Sequence, residues 1–144
     1  MQLHTTNDRS TIAAGTSETF LHDLPEKEVY SLLIDSYRLR VEDDYKFAGD
    51  PHGLYAQEDP VEEFEEFLAL AEKNGKLLPK WWGKEKREKC VKLGEGKGWS
   101  SLGKAVEKGD VQGHYMDGLM PMKLRVLAER VYGEPIEGMP AWKG

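Results

Sequence analysis

Cysteine is nearly missing from this chain: Cys90 is the only one in 144 residues. A lone thiol excludes an internal disulfide, and the expected setting is a reducing compartment, cytoplasm or nucleus. No apolar run approaches the ~20 residues of a membrane span, so no membrane segment is expected. The chain does not start with a basic stretch leading into an apolar one, nor with an Arg-rich, acid-poor presequence, so secretion or organelle import is not expected. Strict apolar–polar alternation, the mark of a half-buried strand, does not stand out, and no internal repeat is visible.

An excess of positive charge is also lacking. The net charge of −6 argues against a general nucleic-acid binder. One cysteine and four scattered histidines give no C-x-x-C or H-x-x-x-H spacing. A closed structural zinc site needs four close ligands, so no metal and no other cofactor is expected. Asp43, Asp44, Asp50 and Asp59 do not follow the spacing of an EF-hand loop. There is no G-x-S-x-G, and Gly94-Glu95-Gly96-Lys97-Gly98 matches neither the Walker pattern nor the dinucleotide fingerprint.

What is present reads as one all-α domain. The length suits a single domain able to bury a core without staples. The stretch from Pro25 to Phe47 organises the rest. Asp23 is placed to cap it and Glu26 to complete a capping box. At ~100° per residue, Val29, Tyr30, Leu33, Ile34, Tyr37, Val41, Tyr45 and Phe47 fill one broad face, widened by Leu32 and Leu39. Only Ser31, Asp35, Arg38 and Glu42 mark a narrow polar seam. The apolar arc is roughly twice the ~100° of a surface helix, so this helix should be contacted from two sides. At ~22 residues it would be ~33 Å long.

Residues 1–20 are poor in large apolar groups and read as a flexible tail. Phe20, Leu21 and Leu24 should begin the helical domain, which spans 21–133. Turn residues fill 48–59. Asp59-Pro60 should open a second helix with Val61, Phe64, Phe67, Leu68 and Ala71 inward, and Asn74-Gly75 should end it with a left-handed cap. Trp81 and Trp82 should hold down a basic helix from Lys84 to Leu93, whose apolar residues are Cys90, Val91 and Leu93. A Gly-rich loop should follow at 94–98. Ser100 or Ser101 should start a short helix carrying Leu102, Ala105 and Val106, broken by Gly109-Asp110. The last helix should run from Pro121 to Tyr132, ended by Gly133 and Pro135. Residues 134–144 read as a C-terminal tail pinned by Met139 and Trp142. The fold class is thus all-α, with four to five helices around a long central one and irregular Trp-rich connections.

Charge is unevenly distributed. Residues 42–66 are strongly acidic, and residues 76–104 are strongly basic. The acids of the second helix and Lys84, Arg87 and Lys92 of the basic helix should face solvent on separate surfaces. These bases, with Trp81, Trp82, His114 and Tyr115, are the candidate binding residues. Trp81, Trp82 and Trp99 among lysines have the form of a base-stacking surface, but the acidic half would repel a nucleic-acid backbone. Cys90 lies in KREKCVK, where nearby bases can lower a thiol pKa. Glu107, Asp110 and Asp117 lie close in sequence to His114, an arrangement that can orient an imidazole as a general base or simply form a polar loop. A catalytic set is not expected elsewhere.

The chain also resembles the C-terminal helical region of fungal MYND-type zinc-finger proteins. The resemblance rests on Leu24-Pro25, Tyr30, Leu33-Ile34 and Tyr37-Arg38-Leu39-Arg40. It continues through Phe64, Phe67-Leu68, Leu78-Pro79, Trp81-Trp82, Trp99 and Val106-Glu107-Lys108. His114-Tyr115, Leu119-Met120-Pro121-Met122 and Val131-Tyr132-Gly133 complete it. It implies a fungal, intracellular helical domain that occurs beside a protein-interaction module. The Cys-rich finger is absent from this chain, so zinc does not carry over with it. Two readings result: a non-catalytic protein–protein interaction or scaffold module, or a small enzyme or ligand-binding protein that uses the Glu107–Asp117 segment around His114. The partner of the first is a protein.

Overall fold

The computed structural model describes residues 17–56, 59–136 and 138. Among them are five α-helices and no strand. Helix α1 runs Glu26–Ala48, a 3-10 turn covers Gly53–Ala56, and α2 runs Pro60–Lys73. Helices α3 (Lys84–Glu95), α4 (Lys108–Tyr115) and α5 (Met120–Tyr132) follow. Met139, Trp142 and most of the N-terminal tail lie outside the described residues. Ser17 to Phe20, assigned above to the tail, form a turn in which Phe20 N–H donates to the Ser17 carbonyl.

The chain does build around α1. At 23 residues it measures ~34 Å. Pro25, and not Asp23, precedes its first turn, and no side chain caps it. Gly49 ends it with φ 65, a left-handed conformation that costs glycine least. Helix α1 packs on α5 and on α3, and α2 in turn packs on both α5 and α3. The four helices close a ring around the core. Helix α1 is therefore enclosed from two sides, as its wide apolar arc requires.

At the centre of the ring Tyr37 of α1 meets Phe64 and Phe67 of α2, with ring centroids 5.5 and 5.6 Å apart. Tyr132 of α5 adds an edge contact to Phe67 at 5.4 Å. Aromatic pairs at such spacing contribute about 0.5–1.5 kcal/mol beyond their area burial. Tyr45 and Phe47 depart from the expected inward face: Tyr45 is exposed and stacks on Tyr55, and Phe47 is half-buried.

Helix α2 opens as its sequence dictates, with the Asp59 side chain accepting from Val61 N–H. Phe64, Phe67, Leu68 and Ala71 are buried. Its end differs from expectation: Asn74 is extended, and its N–H returns to the Ala71 carbonyl. Helix α3 runs two residues past Leu93 and takes in Gly94, placed above in a loop. Gly94 is needed there, because a Cβ would lie 2.9 Å from Leu102, whose N–H donates to the Gly94 carbonyl. Leu93 is exposed instead of buried. No helix starts at Ser100 or Ser101; both are buried in a turn-rich connection.

Gly109-Asp110 do not break a helix. They lie in the first turn of α4, where the Asp110 carboxylate accepts from Glu107 N–H. Helix α5 places Met120, Leu124, Leu127, Ala128 and Val131 in the core and ends on Gly133 with φ 80. The fold continues beyond that cap: Ile136 is buried.

Candidate functional site

The polar residues of α1 are the main clamps of the molecule. The middle of its seam, Asp35 and Arg38, does not face solvent, because the chain folds back over it, while Ser31 and Glu42 are half-buried. Asp35 is fully buried. It accepts from Arg38 at 2.9 Å, from Trp99 Nε1 at 2.7 Å and from the Tyr115 hydroxyl. Arg38 also donates to the carbonyls of Trp99 and Lys104, and its guanidinium lies over the Trp99 ring. One carboxylate thereby ties the 99–104 connection and α4 to the central helix. Burial and the Asp35 charge push the Tyr115 hydroxyl pKa well up, which keeps it a donor.

A second clamp is the pair Asp43–Arg125, buried on both sides, with hydrogen bonds of 2.8 and 3.0 Å. It fastens α1 to α5. A third is Arg40, which bonds Asp44 at 3.0 Å, donates to the carbonyls of Glu134 and Pro135, and lies over the Tyr132 ring.

His52 completes this third group. Its Nδ1 lies 2.7 Å from Glu63 Oε1, and its Nε2 lies 2.8 Å from Asp44 Oδ2. Tyr37 donates to the same Glu63 oxygen at 2.7 Å. Hydrogen bonds to Asp44 and Glu63 outweigh burial and lift the imidazole from its ordinary 6.5 to about 10. Burial pushes Glu63 up, but the bonds from His52 and Tyr37 win and its pKa is lowered. Gly53, next in the chain, has φ 56, and a Cβ there would lie 2.6 Å from the Tyr37 hydroxyl. The close approach of the turn to α1 therefore depends on that glycine. Asp50 joins Asp44 and His52 at the mouth of an open cleft of about 250 Å³.

The binding residues expected from sequence fall into two groups that do not meet. On α3, Lys84 and Arg87 line an open groove of about 390 Å³ between α2 and α3, floored by Val91. Arg87 is not a free surface charge: it donates to the Glu65 carbonyl at 2.8 Å and lies 3.6 Å from Glu72. Arg87 thus does not simply face solvent, as expected, but ties α3 to α2. Lys84 and Lys92 are exposed, as are Lys76, Lys80, Lys89, Lys97 and Lys104. Trp82 is an anchor: its Nε1 donates to Glu72, and its ring meets Tyr30 edge-on at 6.2 Å. Trp81 also meets Tyr30 but remains exposed.

His114 and Tyr115 belong to the Asp35 clamp. His114 stacks flat on Trp99, with ring centroids 4.0 Å apart, and is exposed. The neighbouring acids do not converge on it. Asp110 caps α4; Asp117 pairs with Lys123 at 2.9 Å and accepts from Leu119 N–H. The bases around Cys90 do not activate it. The thiol is fully buried, and burial pushes its pKa up, opposite to what the flanking lysines suggest.

No protein-family model, curated protein or solved structure matches this chain. Among the described residues, no helix is long and apolar enough to cross a membrane.

Proposed function

We propose that the chain is a non-catalytic helical interaction module that engages an acidic protein partner through the exposed face of α3. One observation carries this reading. Leu93, 39 % exposed, stands one helical turn from the exposed Lys89 and next in the chain to the exposed Lys92, and Trp81, 37 % exposed, precedes the same helix among Lys80 and Lys84. Large apolar groups ringed by flexible charges form the composition of an interface, with an apolar centre and a polar rim. The lysines would raise the association rate with an acidic surface and weaken with salt. The same reading, with a fungal intracellular setting, is what the sequence's resemblance to the helical region of fungal MYND-type proteins would imply.

The test compares wild-type protein with the variants Leu93→Asp and Lys84→Glu/Lys89→Glu/Lys92→Glu. Affinity capture from fungal extract at low and high salt is followed by identification and titration of the captured partner. A purified acidic partner whose binding is weakened by both variants and by salt supports the reading. A partner bound equally by all forms, or none at any salt, overturns it.

A further inference from the structure

We propose that Asp44, Asp50 and His52 form a binding site for a divalent transition-metal ion of the zinc type, with Glu63 as the outer carboxylate that orients the imidazole. One ligand atom from each of the three residues lies within 4.8 Å of the other two. The donor set is one imidazole nitrogen and two carboxylates, which suits zinc and its neighbours and not the all-oxygen preference of calcium or magnesium.

The outer contacts distinguish this group from a chance meeting of acids. Metal-bound histidines generally pass their second ring nitrogen to a carboxylate, which fixes tautomer and ring orientation. His52 Nδ1 has that partner in Glu63 at 2.7 Å, and Glu63 is itself held by the Tyr37 hydroxyl from the core. The imidazole is thereby locked with Nε2 towards Asp44. Arg40 occupies the other Asp44 oxygen, Oδ1, and so fixes that carboxylate with Oδ2 towards the imidazole. The backbone is shaped to match, with glycines at positive φ on both sides of the turn, Gly49 and Gly53.

Charge and access agree. Asp44, Asp50, Glu63, Glu66 and Glu134 line the cleft against the Arg40 guanidinium and the His52 ring, an excess of carboxylates. A dication would offset that excess, and the opening of about 250 Å³ gives it an entry path. A tetrahedral ion with bonds of about 2.0–2.1 Å holds its ligand atoms roughly 3.3 Å apart. Asp44 and His52, at 2.8 Å, need to part by about half an ångström, and exposed Asp50 swings inward. On binding, the ion takes the position between Nε2 and Oδ2, and the Nε2 proton leaves to solvent.

The experiment uses the full chain, stripped with chelator and titrated with Zn²⁺ and Co²⁺ alone by calorimetry and by visible absorption of the cobalt form. The expected result is one ion per chain, a higher melting temperature and a cobalt spectrum of low coordination number. Asp50→Ala, which removes an exposed ligand outside the Glu63 contact, should weaken binding by at least about tenfold while the apo protein melts as wild type does. His52→Gln should weaken it at least as much. Absence of 1:1 binding overturns the proposal. So does binding that both variants leave unchanged, which would place the ion on other donors.

Discussion

Asp35 should be the costliest single residue to remove from this protein. The substitution Asp35→Ala would leave the buried Arg38 guanidinium without its counter-ion, and breaking one side of a buried pair costs about 3–5 kcal/mol. Trp99 Nε1 and the Tyr115 hydroxyl would lose a charged acceptor, worth about 1.5–3 kcal/mol each when taken singly. These losses share one carboxylate and do not add. The carbonyls of Trp99 and Lys104 continue to solvate Arg38. A loss of about 4–6 kcal/mol follows, close to the ~5–15 kcal/mol that holds a typical domain together. Asp35→Asn keeps the shape and should cost about 3 kcal/mol; Tyr115→Phe should cost about 1.5–3 kcal/mol. The assay is urea unfolding followed by tryptophan emission, to which Trp99 contributes with the three other tryptophans. In a double-mutant cycle the two changes should couple by about 0.5–3 kcal/mol, because the hydroxyl is worth less against a neutral amide. A loss below about 1 kcal/mol for Asp35→Asn would refute the idea that this carboxylate ties α4 and the 99–104 connection to α1, as would strict additivity.

The other clamps give shorter tests. Because the folded pKa of His52 is raised from 6.5 to about 10, its contribution is fully present below about pH 6.5 and disappears as pH rises through 10. The shift bounds this at about 5 kcal/mol, and residual exposure of the ring reduces it to about 2–3 kcal/mol. In metal-free buffer the stability of wild type relative to His52→Gln should fall by that amount between pH 6.5 and 10, and parallel curves would contradict the raised pKa. Arg125→Met should cost about 3–5 kcal/mol by stranding Asp43, while Asp43→Leu/Arg125→Met should recover much of it; equal loss in single and double variants would point to packing as the role of Arg125. Reversal of Lys84, Lys89 and Lys92 to Glu should change stability by less than about 1 kcal/mol, whereas Arg87→Glu should cost more by breaking the α2–α3 seam. Chemical denaturation that ranks them the other way would reverse these assignments.

The helices were legible where one physical signal sufficed. The Asp59-Pro60 start of α2, the stripe through Phe64 and Phe67, and the Gly133 end of α5 follow from local rules of capping and period. Errors gathered where tertiary contact overrode local preference. Gly94 reads as a loop residue by propensity, yet it lies inside α3 because Leu102 crosses there and leaves no room for a side chain. Ser100 and Ser101 read as helix caps, but the strand of chain they occupy is held by Arg38 from α1, not by helical hydrogen bonds. Gly109-Asp110 reads as a break, although Asp110 is the residue that closes the first turn of α4. Leu93 and Tyr45 satisfied an apolar period and still point outward, since periodicity cannot say how far along a helix its neighbour extends.

The polar clamps carried a signal that the wide apolar arc itself supplies. A helix contacted from two sides has little solvent-facing surface left, so a narrow seam on it is enclosed by whatever covers the ends of that arc. Enclosed charges must be paired. Asp35 and Arg38, three apart on one helix, can reach each other and so meet that condition locally. Asp44 is met in the same local way by Arg40, four residues back, and His52 adds a second partner from the turn, whereas Asp43 needed a cation brought from elsewhere, Arg125. No spacing rule links residues 44, 52 and 63, because their meeting depends on the angle at which α2 leaves the turn after α1. At that turn Gly53 lies close against Tyr37, a contact between a turn and a core side chain that neither residue announces alone. The site around His52 was therefore out of reach of pattern reading, whereas the burial of Asp35 was a consequence of the helix's own composition.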